Sequence, residues 1–232
     1  MASEISVFLP TRKNSERVLN KNTKKFADFD NGLLQLKLNQ LFKSKKVDQI
    51  VLSSNDEKCL DIGNNLSKTD KRLKVVERPS HLALSTTDLV DLVNYVPKIC
   101  DSEHILWTHV TSPFVDEHDY DNAVEVYLEN LNNNFDSLMS VKKFQNFLWS
   151  LEKNDIINRN SDKKWPRTQD LKKLFEVDSA IFIASKSVYK IENDRIGKNP
   201  FLFTQNGYKS FDVDWEDDFK LAELIYKQLH EQ

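Results

Sequence analysis

Ile5-Ser6-Val7-Phe8-Leu9, closed by Pro10 and followed by Thr11-Arg12-Lys13-Asn14-Ser15-Glu16-Arg17, decides how this chain is read. Five apolar-rich residues are too few for a helix, and Pro10 ends the run, so it reads as a buried first strand. The loop after it is basic: Arg12, Lys13, Arg17, Lys21, Lys24 and Lys25 stand against the single acid Glu16. Loop cations and inward-pointing amides suit a nucleoside triphosphate, and the end of a first buried strand is where α/β proteins bind nucleotides. Asn14 is able to supply the left-handed turn that glycine usually provides. The same composition also describes a solvated basic loop, and the segment alone does not separate the two.

Strand and helix patterns alternate through the rest of the chain. Gly32 opens an amphipathic helix carrying Leu33, Leu34, Leu36, Leu38 and Leu41. Strands are expected at 48–53, 73–76, 104–110, 136–141, 177–184 and 210–214, and helices from about Asp56, over 86–96 with Thr86 or Thr87 as N-cap, over 116–128 and over 216–229. This order implies an α/β fold of three layers around a mostly parallel twisted sheet, with ligands at the carboxyl ends of the strands. The chain reads as one domain. Residues 144–176, irregular and rich in Asn, Asp, Lys and Trp, are expected to be an inserted flap.

Near the end of the sequence, Phe211-Asp212-Val213-Asp214-Trp215 sets two carboxylates two residues apart. Extended backbone turns both to one side, an arrangement that suits magnesium, which takes one or two carboxylates with water and phosphate oxygens. Alternatively Asp214 caps the terminal helix, with Asp217 completing a box-like start.

Composition narrows the field. The chain has 232 residues, 39% hydrophobic and 30% charged, enough for a core that needs no disulfide or structural metal. A net charge of −3 gives no general attraction to nucleic acid or anionic lipid. Two isolated cysteines, Cys59 and Cys100, read as reduced core residues of a cytoplasmic protein, and no run approaches a membrane span. Four glycines leave no GxxxxGK[ST] or GxGxxG pattern, so a P-loop ATPase or NAD enzyme is disfavoured.

In chain order the motifs resemble the acylneuraminate (CMP-sialic acid) cytidylyltransferase family over nearly the whole length. The opening P-x-R-x-x-S-x-R-x-x-x-K-N pattern is met by Pro10, Arg12, Ser15, Arg17, Lys21 and Asn22; Ser53-Ser54-Asn55-Asp56 follows the second strand. Arg78-Pro79-Ser80-His81-Leu82-Ala83, Thr111-Ser112-Pro113 and Asp212-Val213-Asp214 complete the set. Related 3-deoxy-manno-octulosonate enzymes read Gly-Lys-Pro where this chain has Asn20-Lys21-Asn22, so the nonulosonate branch is the nearer match.

The resemblance implies that Arg12, Ser15 and Lys21, with the Asn14 turn, hold the triphosphate of CTP. It further implies that Asn22, Arg78 and a hydroxyl of Thr86 or Thr87 recognise cytidine, and that Asp212 and Asp214 bind Mg2+. Arg12, Lys21 and Asp212 would carry catalysis, joining CMP to the anomeric oxygen of an acidic 2-keto sugar with release of pyrophosphate. Arg167 and Gln169, in the irregular segment, are candidates for the sugar, Arg167 pairing with its carboxylate or else lying at a dimer interface. His109 replaces the family's usual Gln and is read as a sugar-pocket residue, a general base or a packing histidine. Ser179 falls where the family reads N-G-A. The aromatic run Phe144, Phe147, Trp149, Trp165 and Phe175 reads as the packing face of a homodimer rather than a nucleic-acid platform. A glycosyltransferase using Asp212 and Asp214, or a CTP-binding protein without turnover, are the rival readings.

Overall fold

Apolar runs bounded by polar turns fold as strands, and a computed structural model describes them over residues 5–13 and 17–230. The strands are β1 (Ile5–Pro10), β2 (Gln49–Ser54), β3 (Leu73–Glu77), β4 (His104–Trp107), β5 (Ser137–Phe144), β6 (Trp149–Ser150), β7 (Asp155–Ile156), β8 (Leu174–Ser185) and β9 (Pro200–Gln205). The helices are α1 (Gly32–Lys43), α2 (Glu57–Leu66), α3 (Leu89–Ile99), α4 (Glu117–Leu131), α5 (Lys186–Glu192) and α6 (Glu216–His230). Seven strands form one sheet in the order β3-β2-β1-β4-β8-β5-β9. β1 to β4 run parallel, β8 runs antiparallel to both β4 and β5, and β9 returns parallel to β5.

Strand alternation sorts the core into two layers. Val7, Leu9, Ile50 and Leu52 pack under α1, α2, α4 and α6. Phe8, Val51, Trp107 and Phe182 pack on the opposite face under α3 and α5. Three layers around a mixed sheet is the architecture the sequence implied.

Three local expectations are corrected. Residues 210–214 join no ladder: Gly207–Ser210 is a 3-10 turn, and the extended residues after it touch the sheet end through the Val213 amide, which donates to the Thr111 carbonyl at 2.9 Å. The last strand is instead β9, whose Phe201-Leu202-Phe203 run pairs beside β5. The third helix is capped by Asp88, which accepts from the Val90 amide at 3.0 Å. The Thr87 hydroxyl is occupied one turn earlier, donating to the His81 carbonyl at 2.7 Å. Within 144–176 the chain forms the β6–β7 hairpin and a 3-10 turn at Thr168–Asp170 before β8 begins.

One buried cation fixes the loop that leaves β4. Lys37, fully buried on α1, donates to the carbonyls of Ser112 at 2.9 Å and Val115 at 2.8 Å and lies 5.0 Å from the Tyr120 ring. Gln40, one turn on, donates to the Pro113 carbonyl at 2.8 Å. The Thr111–Val115 turn is therefore held by side chains of α1, since its carbonyls find no partners in the sheet. Burial pulls the Lys37 ammonium down to about 7, with Asp119 and Asp116 opposing the shift. Replacing Lys37 by Met leaves the buried Val115 carbonyl without its donor and the Ser112 carbonyl with only the long bond from the Val115 amide, and is expected to cost about 1–3 kcal/mol. Urea unfolding should show this as a lower midpoint at unchanged slope.

Candidate active site

The loop after β1 is folded back on the strand ends rather than left in solvent. The Thr11 amide donates to the Ser53 carbonyl at 3.0 Å, and the Lys13 amide to Asn55 Oδ1 at 3.0 Å. Asn22 Nδ2 donates to the Arg12 carbonyl at 3.2 Å, while the Asn22 carbonyl accepts from Leu34 at the start of α1. Between them Asn20 adopts a left-handed φ of 54°, the conformation that glycine adopts freely and asparagine tolerates. Asn14 and Ser15 lie outside the described residues.

The head loop meets the far end of the chain. Lys21 Nζ donates to the Val213 carbonyl at 2.8 Å and stands 3.8 Å from Asp214 Oδ1. Arg17 Nη2 lies 2.7 Å from the same oxygen, its guanidinium 5.3 Å from the Trp215 ring, and Lys24 pairs with Glu216. The Asp214 carboxylate faces these cations, and Asp218 takes the capping duty by accepting from the amides of Asp214 at 3.1 Å and Trp215 at 2.7 Å. The helix-cap alternative for Asp214 is thereby set aside. Val213 itself is fully buried, so the two carboxylates stand on either side of a pinned residue.

Asp212 is the more enclosed of the pair. Its Oδ1 is buried and accepts no hydrogen bond from the described residues. Burial pushes its carboxyl above the usual aspartate range; Thr111 opposes this, Asp214 adds to it, and Lys21 and Arg17 oppose it. Burial likewise pulls the Lys21 ammonium down, with Asp214 and Asp212 opposing.

These groups line one cleft of about 710 Å3 at the carboxyl ends of the parallel strands. Arg12, Arg17, Lys21, Arg78 and Arg195 face it, against Asp212 and Asp214. Five cations against two carboxylates make the cleft strongly positive inside a chain that is slightly acidic. Arg78, at the end of β3, is 5% exposed and bonds to no carboxylate among the described residues. Its Nη2 donates to the Thr11 carbonyl at 2.9 Å and to the Ser53 carbonyl, and burial pulls the guanidinium down to about 10. With Nε on the Ser53 hydroxyl, Nη1 is left without an acceptor among the described residues.

His109 lies in the same wall with both ring nitrogens engaged. Nε2 accepts from the Trp107 indole N–H at 3.0 Å, so Nδ1 carries the proton and donates to the Ser179 carbonyl at 2.8 Å. Burial, with Arg195 adding to it, pulls this imidazole down to about 4. A neutral ring without a free lone pair is a strut between β4 and β8, which disposes of the general-base reading and leaves no ring nitrogen for a sugar. Its partner Ser179 adopts φ 60°, again a position that favours glycine.

The cleft thus brings together Arg12, Lys21, Asn22, Arg78, His109, Asp212 and Asp214. It does not include four other candidates. Thr86 is exposed and Thr87 is turned to the His81 carbonyl. Arg167 is exposed and paired with Asp170 at 2.9 Å. Gln169 borders a separate shallow cavity with Gln145 and Leu174. Arg195 is the residue that sequence reasoning missed: it sits in a loop far from every motif, and only folding delivers it.

Comparison with known proteins gives the family and the fold. A Campylobacter coli protein named "Post-translational flagellin modification protein B" is 25% identical over 97% of this chain and 96% of its own. The pseudaminic acid cytidylyltransferase of Campylobacter jejuni is 23% identical over 96% of each chain. Among solved structures, CMP:2-keto-3-deoxy-manno-octonic acid synthetase complexed with CTP has the same fold, with a TM-score of 0.69 at 12% identity over 98% of this chain and 100% of that one. The family model described as "Cytidylyltransferase" matches residues 6–231, and the chain belongs to that family.

Proposed function

We propose that the chain transfers CMP from CTP to the anomeric oxygen of an acidic 2-keto-3-deoxy sugar of the nonulosonate class, releasing pyrophosphate. The observation that carries this reading is the convergence of Arg12, Arg17 and Lys21 with Asp212 and Asp214 in one cleft of a cytidylyltransferase-family chain. The relative named for pseudaminic acid supports the sugar class.

In this reading Arg12, Ser15 and Lys21 hold the triphosphate, and Asn22 with the free Nη1 edge of Arg78 reads the nucleoside. The sugar oxygen attacks the α-phosphorus, the bond to the pyrophosphate oxygen breaks, and the hydroxyl proton leaves to solvent or to the departing pyrophosphate. Charge neutralisation and alignment supply the rate, with no covalent enzyme intermediate. Both cysteines are buried with thiols pushed up to about 12, far from nucleophilic use.

Asp212 and Asp214 fit magnesium. The orphaned, buried Oδ1 of Asp212 is a carboxylate oxygen lacking a donor. Among the described residues no group of three or more His, Cys, Asp or Glu gathers, so these two carboxylates would be the protein's share, the rest coming from water and phosphate oxygens. When bound, the ion neutralises phosphate charge.

The same reading extends to a cytoplasmic homodimer. Between residues 147 and 177 Phe147, Trp149, Leu151, Trp165, Phe175 and Val177 are all exposed, Leu151 at 92% and Trp165 at 66%. An apolar face of this kind is what a subunit interface covers. No helix among the described residues is long and apolar enough to cross a membrane.

The decisive assay is pyrophosphate release with CTP, Mg2+ and a panel of 2-keto-3-deoxy acids; transfer from a preformed nucleotide sugar instead would favour the glycosyltransferase reading. Asp212→Asn is expected to lower kcat by about a hundredfold or more with the fold unchanged, and near-normal turnover removes the metal assignment. His109→Gln should keep kcat within about tenfold, since loss of a general base costs about 100- to 10,000-fold. The Trp149→Glu and Phe175→Glu variants should elute as monomers in light-scattering chromatography where the parent elutes as a dimer.

A further inference from the structure

We propose that Arg195 binds the carboxylate of the acceptor, so that selectivity for an acid is set from the turn after α5 rather than by Arg167; this rests on the acid-sugar reading above. Helix α5 ends at Asn193, whose left-handed φ of 51° turns the chain back over the sheet. Arg195 then lies across Trp107 of β4 and Phe182 of β8, with its guanidinium carbon 4.7 Å and 3.8 Å from the two ring centroids. Those rings are direct cross-strand partners, so they form one continuous aromatic bed. A guanidinium held over aromatic faces keeps its N–H groups available for bonding to an anion.

Among the described residues no carboxylate, carbonyl or hydroxyl accepts from the Arg195 guanidinium, and the adjacent Asp194 uses Oδ1 on the Arg195 backbone amide. Burial lowers the guanidinium's affinity for its proton, a strain that an arriving anion relieves.

The other cleft cations divide differently. Arg17 and Lys21 face Asp214, and Arg78 is bonded to Ser53 and Thr11. Only Arg12 and Arg195 offer cleft guanidinium groups without a described protein acceptor. Arg12 follows β1, on the phosphate side. Arg195 lies beyond β4, beside the His109 strut and Ser179. The reaction brings two anions, a polyphosphate and a carboxylate, and the two arginines stand on separate sides for them. A planar fork with its edge free is the geometry for bidentate carboxylate binding.

The test is calorimetric titration of a 2-keto-3-deoxy acid, and of its C1 carboxamide, into protein saturated with CTP in the absence of divalent cations. Arg195→Met keeps the stacked apolar stem and removes the fork. It should weaken the acid about thirtyfold or more, abolish the preference for acid over amide, and leave CTP affinity within about threefold of the parent. Arg195→Lys should recover part of the acid preference. An unchanged acid preference in Arg195→Met overturns the assignment, as does a loss of CTP affinity equal to the loss for the acid. A parent protein that binds the acids but releases no pyrophosphate with magnesium sinks the transfer reading and leaves Arg195 judged by binding. One that binds CTP and none of the acids overturns both.

Discussion

The backbone of Val213 is gripped on both sides of its Cα: its amide donates to the Thr111 carbonyl and its carbonyl accepts from Lys21. Each bond is worth about 1 kcal/mol net, so neither would hold the tail unaided. What makes the grip hold is the burial of the Val213 side chain and the rigidity of both partners. Thr111 leads into a turn clamped by Lys37 and Gln40, and Lys21 sits on a loop pinned by Asn22 to the start of α1. Three segments far apart in sequence share one origin through α1, and the two carboxylates inherit their positions from it.

Much of this was legible beforehand because parallel strands buried on both faces leave continuous apolar runs. Ile5 to Leu9 and Ile50 to Leu52 needed no tertiary knowledge. Asp212 and Asp214 both line the cleft although they belong to no ladder, because extended backbone alternates its side chains inside a sheet and outside one. The strand assigned at 210–214 failed because an apolar–acidic alternation looks the same at a sheet end as in a sheet, and Phe201-Leu202-Phe203 filled the edge instead. Arg195 was illegible for a deeper reason. Arg195 lies over Trp107 and Phe182, and no spacing in the sequence encodes a pair of rings brought together by two strands far apart in the chain.

Two residues of the cleft region answer to one constraint. Asn20 and Ser179 both hold left-handed backbone where glycine is the easier residue. Each carries a side chain, one at the loop and one at the cleft wall, on a path that glycine would adopt freely. His109 belongs with Ser179 in this account: the imidazole bridges the Trp107 indole and the Ser179 carbonyl, tying the two strands where the backbone is least comfortable.

The ion pairs around Asp214 have a consequence for ligand discrimination. Arg17 and Lys21 already share a counter-ion, so a polyanion entering the cleft must displace an internal competitor held by the protein itself. A bare phosphate chain would gain two cations and meet two aspartates. A polyanion that brings its own positive charge satisfies both sets at once. Around Asp214 the cleft therefore works as an exchanger of counter-ions: what a guest gains from Arg17 and Lys21 is reduced by what the aspartate gives up.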